Sequence, residues 1–254
     1  MPSFIKQNIL PFSFLALLVV SLIGVMTARL INPADRTEAL HAEIRAYLLA
    51  NPEVIFEAVA IAREREAEAQ TNQDADLVAS LREELFEDGY SYVGGNPEGD
   101  ITIVEFLDYR CGYCRRAFEE VETLLSEDEN IRFIIKEYPI LGDASLLSSQ
   151  FAIAVKQLYG AEAYKDVHNT LMAFSADPTP EALAQIALSY ELDPKAVIAQ
   201  MMSDEVQMEI DRTRELGAKM KVSGTPTFVI ENAMVRGYVP LNDMRSIVAE
   251  QRKK

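Results

Sequence analysis

The segment Ile101–Phe118, ITIVEFLDYRCGYCRRAF, constrains the fold and the chemistry of this chain more than any other stretch. Its first part, Ile101–Leu107, is an apolar run with the composition of a buried strand, and a short polar turn follows it. Cys111 and Cys114, the only cysteines in 254 residues, come directly after that turn. Two cysteines separated by two residues, placed between a strand and a helix, are typical of a motif that exchanges disulfides.

The positions of the two cysteines predict a different role for each. Cys111 stands at the predicted N-terminus of the helix, where unpaired backbone N–H groups and the helix dipole favour a thiolate. Because the thiolate is the attacking species in disulfide exchange, we predict that Cys111 is the nucleophile. Cys114 lies one turn further into the helix and is expected to resolve the mixed disulfide. We expect Gly112 and Tyr113, between the cysteines, to contact the substrate.

A zinc site and a purely structural disulfide both account less well for the cysteine pair. A zinc site needs more ligands, but the chain has no other cysteine, and its two histidines, His41 and His168, lie far apart in the sequence. A purely structural disulfide would close a loop too short to restrain the unfolded chain much. We therefore predict a redox-active Cys111–Cys114 disulfide, no metal site and no further cofactor.

A second part of the site is predicted at Val222–Phe228, VSGTPTF, immediately before a strand. Proline cannot donate a hydrogen bond within a sheet, so it belongs at the first residue of a strand. Because this proline accompanies an upstream cysteine pair, we expect the Thr225–Pro226 peptide bond to be cis and to lie beside the cysteines. The backbone of Thr225 is then available to bind an extended client peptide as a short added strand.

Two charged residues interrupt the predicted strands. Glu105 lies within the first apolar run, and Lys136 ends the second, Ile131–Lys136. A charge in a buried strand is costly unless it is paired or partly hydrated. Either each side chain reaches an edge of the sheet, or the two lie near each other beneath the cysteines and handle protons as Cys114 ionises.

Residues 1–28 are predicted to be a targeting segment. Lys6 precedes the almost wholly apolar stretch of residues 9–26, which is long for a signal peptide and near the lower limit for a membrane span. Because no clear cleavage site follows, both a cleaved signal peptide and an uncleaved membrane anchor remain open. Either one exports the remainder, so we expect a periplasmic protein that is soluble after cleavage or tethered by residues 9–26.

Residues 29–92 are predicted to form an acidic helical extension. Apolar residues recur at helical spacing in its first two helices, whereas the span of residues 63–76 is polar and has no core face. Short amphipathic helices of this kind need another surface on which to bury their apolar stripes. They either pack on the rest of the chain or associate with copies of themselves through residues 36–90. The net charge of −16 and the lack of a basic run argue against nucleic acid as a partner.

The remaining elements predict the fold. A turn cluster at residues 94–99 suggests a domain boundary, so residues 93–254 form the second domain. After the helix of the cysteines come a second buried strand, a helical stretch at about residues 143–220, two strands and a final helix. This order predicts an α/β, thioredoxin-like fold with an inserted helical domain. The crossover rule places Cys111 at the carboxyl end of its strand, where such sheets present their sites.

With these residues in hand, the chain resembles the DsbA-like branch of the thioredoxin superfamily, through EFLDYRCGYC, KEYPILG and GTPTF. The extension, with its segment YLLANPEVI, is similar to that of the suppressor-of-copper-sensitivity C (ScsC) proteins. The resemblance implies an attacking Cys111, a resolving Cys114, a cis Pro226 and a buried acid at Glu105. It also implies that some members trimerise through the N-terminal helices and act as isomerases. The CGYC motif departs from the CPHC of strongly oxidising relatives. Tyr113 lacks the imidazole that helps to stabilise their thiolate, so the resemblance does not extend to extreme oxidising power.

The sequence therefore predicts an exported protein thiol–disulfide oxidoreductase, isomerase-like if it is a homo-oligomer such as a trimer. Its partners would be client proteins with thiols or disulfides, and a membrane redox protein that resets the cysteine pair. Three alternatives remain: a monomeric thiol oxidase or reductase, a copper-binding protein that uses the two thiolates as soft ligands, and a membrane-anchored scaffold.

Overall fold

The computed structural model describes residues 10–30 and 33–253, and it divides into two compact units, Met1–Glu66 and Ala67–Lys254. The predicted basic start of the targeting segment, residues 1–9 with Lys6, lies outside the described residues. The helices of the first unit are α1 (Leu10–Leu30), α2 (Pro33–Ala50) and the first part of α3 (Glu53–Ser80). Among the residues whose side chains are described, no helix is both long and apolar enough to cross a membrane.

The second unit contains the end of α3, a five-stranded sheet and seven further helices. The strands are β1 (Tyr92–Gly95), β2 (Ile101–Leu107), β3 (Ile131–Glu137), β4 (Thr227–Ile230) and β5 (Ala233–Arg236). The helices are α4 (Arg82–Phe86), α5 (Gly112–Glu127), α6 (Asp143–Ala173), α7 (Pro180–Ser189), α8 (Pro194–Met201), α9 (Asp204–Lys219) and α10 (Leu241–Gln251).

The sheet has the order β1-β3-β2-β4-β5. Strands β2 and β3 are parallel and joined through α5, whereas the other neighbours are antiparallel. The four helices α6–α9 follow β3 and precede β4. This arrangement confirms the predicted thioredoxin-like α/β fold with inserted helices. It places the C-terminal end of the central strand β2 directly before the cysteine motif.

Each face of the sheet carries its own hydrophobic core. One face packs on α5, α6 and α10 through side chains such as Ile103, Leu107 and Ile135. The other face carries Val104, Phe106 and Ile134, which pack with residues of α3, α4 and α9. Because neighbouring residues of a strand point to opposite faces, the position of a charged residue within β2 or β3 decides which core it enters.

The sequence prediction missed strand β1, since it assigned the glycines there to a turn cluster. Tyr92–Gly95 pairs antiparallel with β3, and Tyr92 is opposite Ile135. Gly94 and Gly95 have low strand propensity, but their backbone groups still pair. Gly95 has a φ of +64°, and a Cβ atom there would lie 2.3 Å from the carbonyl oxygen of Ile131. The close approach of β1 to β3 therefore requires glycine at this position.

The polar span of residues 63–76 is part of one continuous helix, α3, and Asp74 is the one buried residue within this span. Asp74 is 4% exposed and accepts hydrogen bonds from the Arg236 guanidinium of β5 and from Gln70. The contact was missed because a carboxylate makes it, whereas core faces are recognised by apolar residues. Further along the chain, Leu85 and Phe86 of α4 are buried in the core of the second unit.

Candidate active site

Cys111 occupies the N-cap of α5, directly after the turn that follows β2. Its side chain makes no capping hydrogen bond, and the first N–H groups of the helix lie beside this residue. Cys111 is 7% exposed, whereas Cys114 is fully buried, and both are free thiols. Both cysteines are thus buried, and Cys111 is the one that keeps a small exposed fraction, so the attacking and resolving roles stay predictions.

The two thiols differ strongly in acidity. The pKa of Cys111 is lowered from 9.0 to about 5. The largest cause is a hydrogen bond with the Cys114 side chain, followed by hydrogen bonds with the Thr225 side chain and with the backbone N–H groups of Cys114 and Tyr113. Burial raises the pKa of Cys114 far above its ordinary value, and the hydrogen bond to Cys111 and the charge of Glu105 add to this effect. At neutral pH, Cys111 is therefore the thiolate and Cys114 the proton donor to it.

The buried carboxylate of Asp108 holds the turn before Cys111. One oxygen accepts the backbone N–H of Arg110 at 2.8 Å, and the other accepts those of Ile140 and Leu141 at 2.8 and 3.0 Å. The carbonyl oxygen of Asp108 accepts the N–H of Cys111 at 3.0 Å. One side chain thus joins the cysteine turn to the loop after β3. The sequence analysis did not single out Asp108.

The structure brings the segment before β4 against the cysteines. The Thr225–Pro226 peptide bond is cis, as predicted, and the carbonyl oxygen of Thr225 lies 3.1 Å from the Cys111 sulfur. Gly112 and Tyr113 lie at the surface beside the same sulfur, and Tyr113 is 62% exposed. The residues predicted to contact the substrate therefore surround Cys111 in space, although their binding role stays a prediction.

Glu105 lies in β2 on the same sheet face as the cysteine core, and it is 3% exposed. Burial raises its pKa to about 8, and the charge of Cys111 contributes to the increase. Among the described residues, its Oε1 atom has no hydrogen-bond partner. A buried carboxyl group that titrates at about pH 8 and whose charge acts on Cys114 is a candidate proton acceptor for that thiol.

The prediction that Lys136 lies near Glu105 is wrong. In the register of the sheet, Glu105 is opposite Ile135, whereas Lys136 is opposite Phe106. The two side chains therefore point to opposite faces, and Lys136 pairs with Asp88 and donates to the carbonyl oxygen of Glu84 at 2.9 Å. The offset of one residue was missed because the register of two strands cannot be read from either one alone.

The neighbour of Lys136, Glu137, is the charged residue of β3 that enters the cysteine-side core. It is 3% exposed and accepts hydrogen bonds from Tyr109, Tyr164 and Ser149. The sequence analysis missed this network, although alternation within β3 is a signal that could have indicated it. The described residues contain no group of three or more His, Cys, Asp or Glu side chains arranged to hold a metal ion.

Comparisons with known families match two parts of the chain. Residues 102–249 match the DSBA-like thioredoxin domain, and residues 37–69 match the copper resistance protein ScsC N-terminal domain. The second match lies within the predicted acidic extension. The first covers the cysteine motif, the inserted helices and the segment that contains Pro226.

Individual proteins of known structure, and curated proteins, are also similar to this chain. A thioredoxin-like oxidoreductase from Silicibacter pomeroyi DSS-3 is 39% identical, with a TM-score of 0.64 over 68% of this chain and 98% of that chain. ScsC of Proteus mirabilis in a compact conformation is 26% identical, with a TM-score of 0.63 over 84% of this chain and 97% of that chain. The Na(+)/H(+) antiporter NhaA 1 of Salinispora arenicola is 27% identical over 146 residues, which are 58% of this chain and 22% of that protein. The chain thus spans about a fifth of the length of the first curated relatives that it matches.

Proposed function

The chain belongs to the DsbA-like thioredoxin family, and on this basis we propose that it exchanges disulfides with client proteins in the periplasm through Cys111 and Cys114. The observation that carries the proposal is the Cys111 sulfur itself. It lies at a helix N-terminus, 3.1 Å from the Thr225 carbonyl oxygen, and its pKa is lowered to about 5. A thiolate beside an available backbone edge is what attack on a peptide-borne disulfide requires.

The exchange proceeds in two balanced steps. The Cys111 thiolate attacks one sulfur of a client disulfide, forms a mixed disulfide and releases the other client sulfur as a thiolate. Cys114 then loses its proton, for which Glu105 is the buried acceptor, and attacks the Cys111 sulfur. This second attack forms the Cys111–Cys114 disulfide and releases the remaining client thiolate. Run in reverse, the same steps oxidise a client dithiol.

The cysteine pair is the only redox group that these steps need, so we propose no further cofactor. A membrane redox protein resets the pair after each net oxidation or reduction. Export through the segment at residues 1–28 places the reaction in the periplasm, where residues 9–26 are either removed or serve as a tether.

We further propose that the N-terminal helices associate with copies of themselves, as a trimer, and make the protein an isomerase. Support comes from the match of residues 37–69 to the ScsC N-terminal domain. It also comes from large apolar side chains of α2 and α3 that are 42–74% exposed, since extensive exposed apolar surface is typical of interaction sites. The exposed set comprises Leu40, Ile44, Tyr47, Leu49, Ile55, Phe56, Val59 and Ile61.

Two alternatives have support of their own. The lowered pKa of Cys111 stabilises the reduced protein, which favours a monomeric oxidant that donates its disulfide to clients. The name of the copper resistance family matched by residues 37–69 favours a protective role in which the two sulfurs bind Cu(I). Titration of the reduced protein with Cu(I) separates this role from disulfide exchange.

A trapping experiment tests the proposed exchange directly. In the variant Cys114→Ser, Cys111 still attacks, but the resolving thiol is gone, so mixed disulfides with clients should accumulate and disappear on reduction. The matched control, Cys111→Ser, keeps Cys114 and should trap nothing, because that thiol is buried and has a raised pKa. Equal trapping by both variants, or none by either, would contradict the proposal.

A further inference from the structure

We propose that Glu137 is a positioning residue for the exchange reaction: its buried carboxylate ties Tyr109 of the cysteine turn to helix α6 and opposes the ionisation of Glu105, which lies on the same sheet face. The inference rests on the proposed function, because it assigns Glu105 as the proton acceptor for Cys114. It goes beyond that function by placing Glu105 under the electrostatic influence of a second buried carboxylate, Glu137.

Both oxygens of the buried Glu137 carboxylate accept hydrogen bonds from neighbouring hydroxyl groups. Its Oε1 atom accepts the hydroxyl of Tyr109 at 2.8 Å and that of Tyr164 at 2.6 Å, and Oε2 accepts the hydroxyl of Ser149 at 2.7 Å. Tyr109 also lies 3.0 Å from Nδ1 of His168. The three hydroxyl donors favour the ionised carboxylate and partly offset the effect of burial on its pKa.

The network reaches the cysteines through Tyr109. This residue is 1% exposed and lies two positions before Cys111, and its carbonyl oxygen accepts Nε of Arg115 in the first turns of α5 at 2.9 Å. Tyr109 thus links Glu137 on one side to the helix of the cysteines on the other. A change in the charge of Glu137 therefore acts on Tyr109, which belongs to the turn before Cys111.

Glu137 also faces Glu105 within one core. Leu107 is opposite Glu137 in the register, and Glu105 is opposite Ile135, so the two acids lie two residues apart along adjacent strands on the same sheet face. Like charges at this separation in a low-dielectric interior raise each other's pKa. Burial raises the pKa of Glu137 to about 7, and its charge in turn contributes to the raised pKa of Glu105.

Every element packed around the pair contributes a titratable or charged group. Lys156 lowers the pKa of Glu137, while Lys165 lowers and Glu122 raises that of Glu105. His168 stays neutral, because burial lowers its pKa to about 3. The full set is Glu105, Tyr109, Cys111 and Cys114 near β2, Glu122 on α5, Lys156, Tyr164, Lys165 and His168 on α6, and Tyr92 of β1, which stacks on Tyr164.

The variant Glu137→Gln tests the inference, because the amide keeps the shape and accepts the tyrosine hydroxyls but carries no charge. With the repulsion removed, the titration midpoint of Glu105 should move to lower pH, with a three- to tenfold increase in its ionisation constant, about half a unit to one unit of pKa. The measurement is carboxyl ¹³C NMR of the reduced full chain labelled at glutamate, with Glu105 assigned through Glu105→Gln. The pH profile of mixed-disulfide resolution should move in the same direction.

The matched control is Asp74→Asn, which neutralises a carboxylate of similar burial that is held by Arg236 instead. It should leave the Glu105 midpoint and the pH profile unchanged. If Glu137→Gln alters only the melting temperature and leaves the Glu105 midpoint in place, Glu137 is structural and the inference is wrong. The NMR readout needs no client, so failure of disulfide exchange itself would be recognised separately, by absence of mixed disulfides in the Cys114→Ser variant.

A second variant serves if Glu137→Gln does not fold. Tyr164→Phe keeps the ring that stacks on Tyr92 at 4.6 Å but removes one donor to the carboxylate. The ionised form of Glu137 then loses a hydrogen bond, so its own titration should move to higher pH. An unchanged titration of Glu137 in this variant would overturn the inference.

Discussion

Replacing Cys111 by serine should abolish disulfide exchange, with a loss on the order of a thousandfold or more, because a hydroxyl neither ionises at neutral pH nor forms a disulfide. The measurement is reduction of a disulfide-bonded client by the dithiol protein, with excess reductant to recycle it. We expect the effect to be specific to this sulfur, since the pKa of Cys111 is lowered and part of the residue is exposed, whereas Cys114 is fully buried.

The control for this prediction is Cys114→Ser, which retains the attacking sulfur. It should react with the client once, at a rate close to that of the intact protein, and then stop as a mixed disulfide. If Cys111→Ser retained more than a small fraction of turnover, Cys114 would be the attacking thiol and the assigned roles would be reversed.

Removing residues 29–66 should abolish isomerase activity while leaving simple disulfide exchange intact. Isomerisation requires that a client with wrong disulfides stays bound while Cys111 attacks and is expelled again. Several cysteine sites around one client raise the effective thiol concentration to roughly millimolar, and a single site does not. Recovery of activity from scrambled-disulfide ribonuclease should therefore fall by about tenfold or more, and the native mass should fall to that of one chain.

The deletion must end at residue 66 for a structural reason. The second unit begins at Ala67, and a deletion up to residue 90 would remove Leu85 and Phe86 from its core and Asp74 from Arg236. A matched variant of the intact chain carries Leu40→Asp and Ile44→Asp, which place charges on two exposed apolar positions of α2. Unchanged ribonuclease refolding by both proteins would contradict isomerisation by an oligomer, and the function that remains would be that of a monomeric oxidant or reductant.

Much of the fold and of the site could be predicted because the signals are local. Each of three signals is recognised within a few neighbouring residues: the apolar run before Cys111, the two-residue spacing to Cys114 and the proline before β4. Their order along the chain then fixes the topology, since a parallel crossover has one hand. The position of Cys111 at the end of β2 follows from these signals, whereas the cis bond before Pro226 was predicted because the proline accompanies the distant cysteine pair.

The parts that could not be predicted depend on pairing between distant segments. The contact between Glu137 and Tyr164 joins residues that are 27 positions apart, and the sequence around one residue does not indicate the other as its partner. The alternative that placed Lys136 beside Glu105 is wrong because a one-residue offset decides which core a strand residue enters. Strand β1 was missed because Gly94 and Gly95 pair through their backbone, and propensity reports only side chains.

The most direct test of the central claim is an ultraviolet titration of the Cys111 thiolate in the reduced protein, with Cys111→Ser as the blank. The pKa of Cys111 is about 5, so the thiolate signal should persist from neutral pH down to that value and disappear below it. A depressed pKa stabilises the folded, reduced protein fully above the ordinary value of 9.0, and this stabilisation is lost as the pH falls to about 5. A midpoint near 9.0, or a signal that survives in Cys111→Ser, would contradict the assignment of Cys111 as the activated nucleophile.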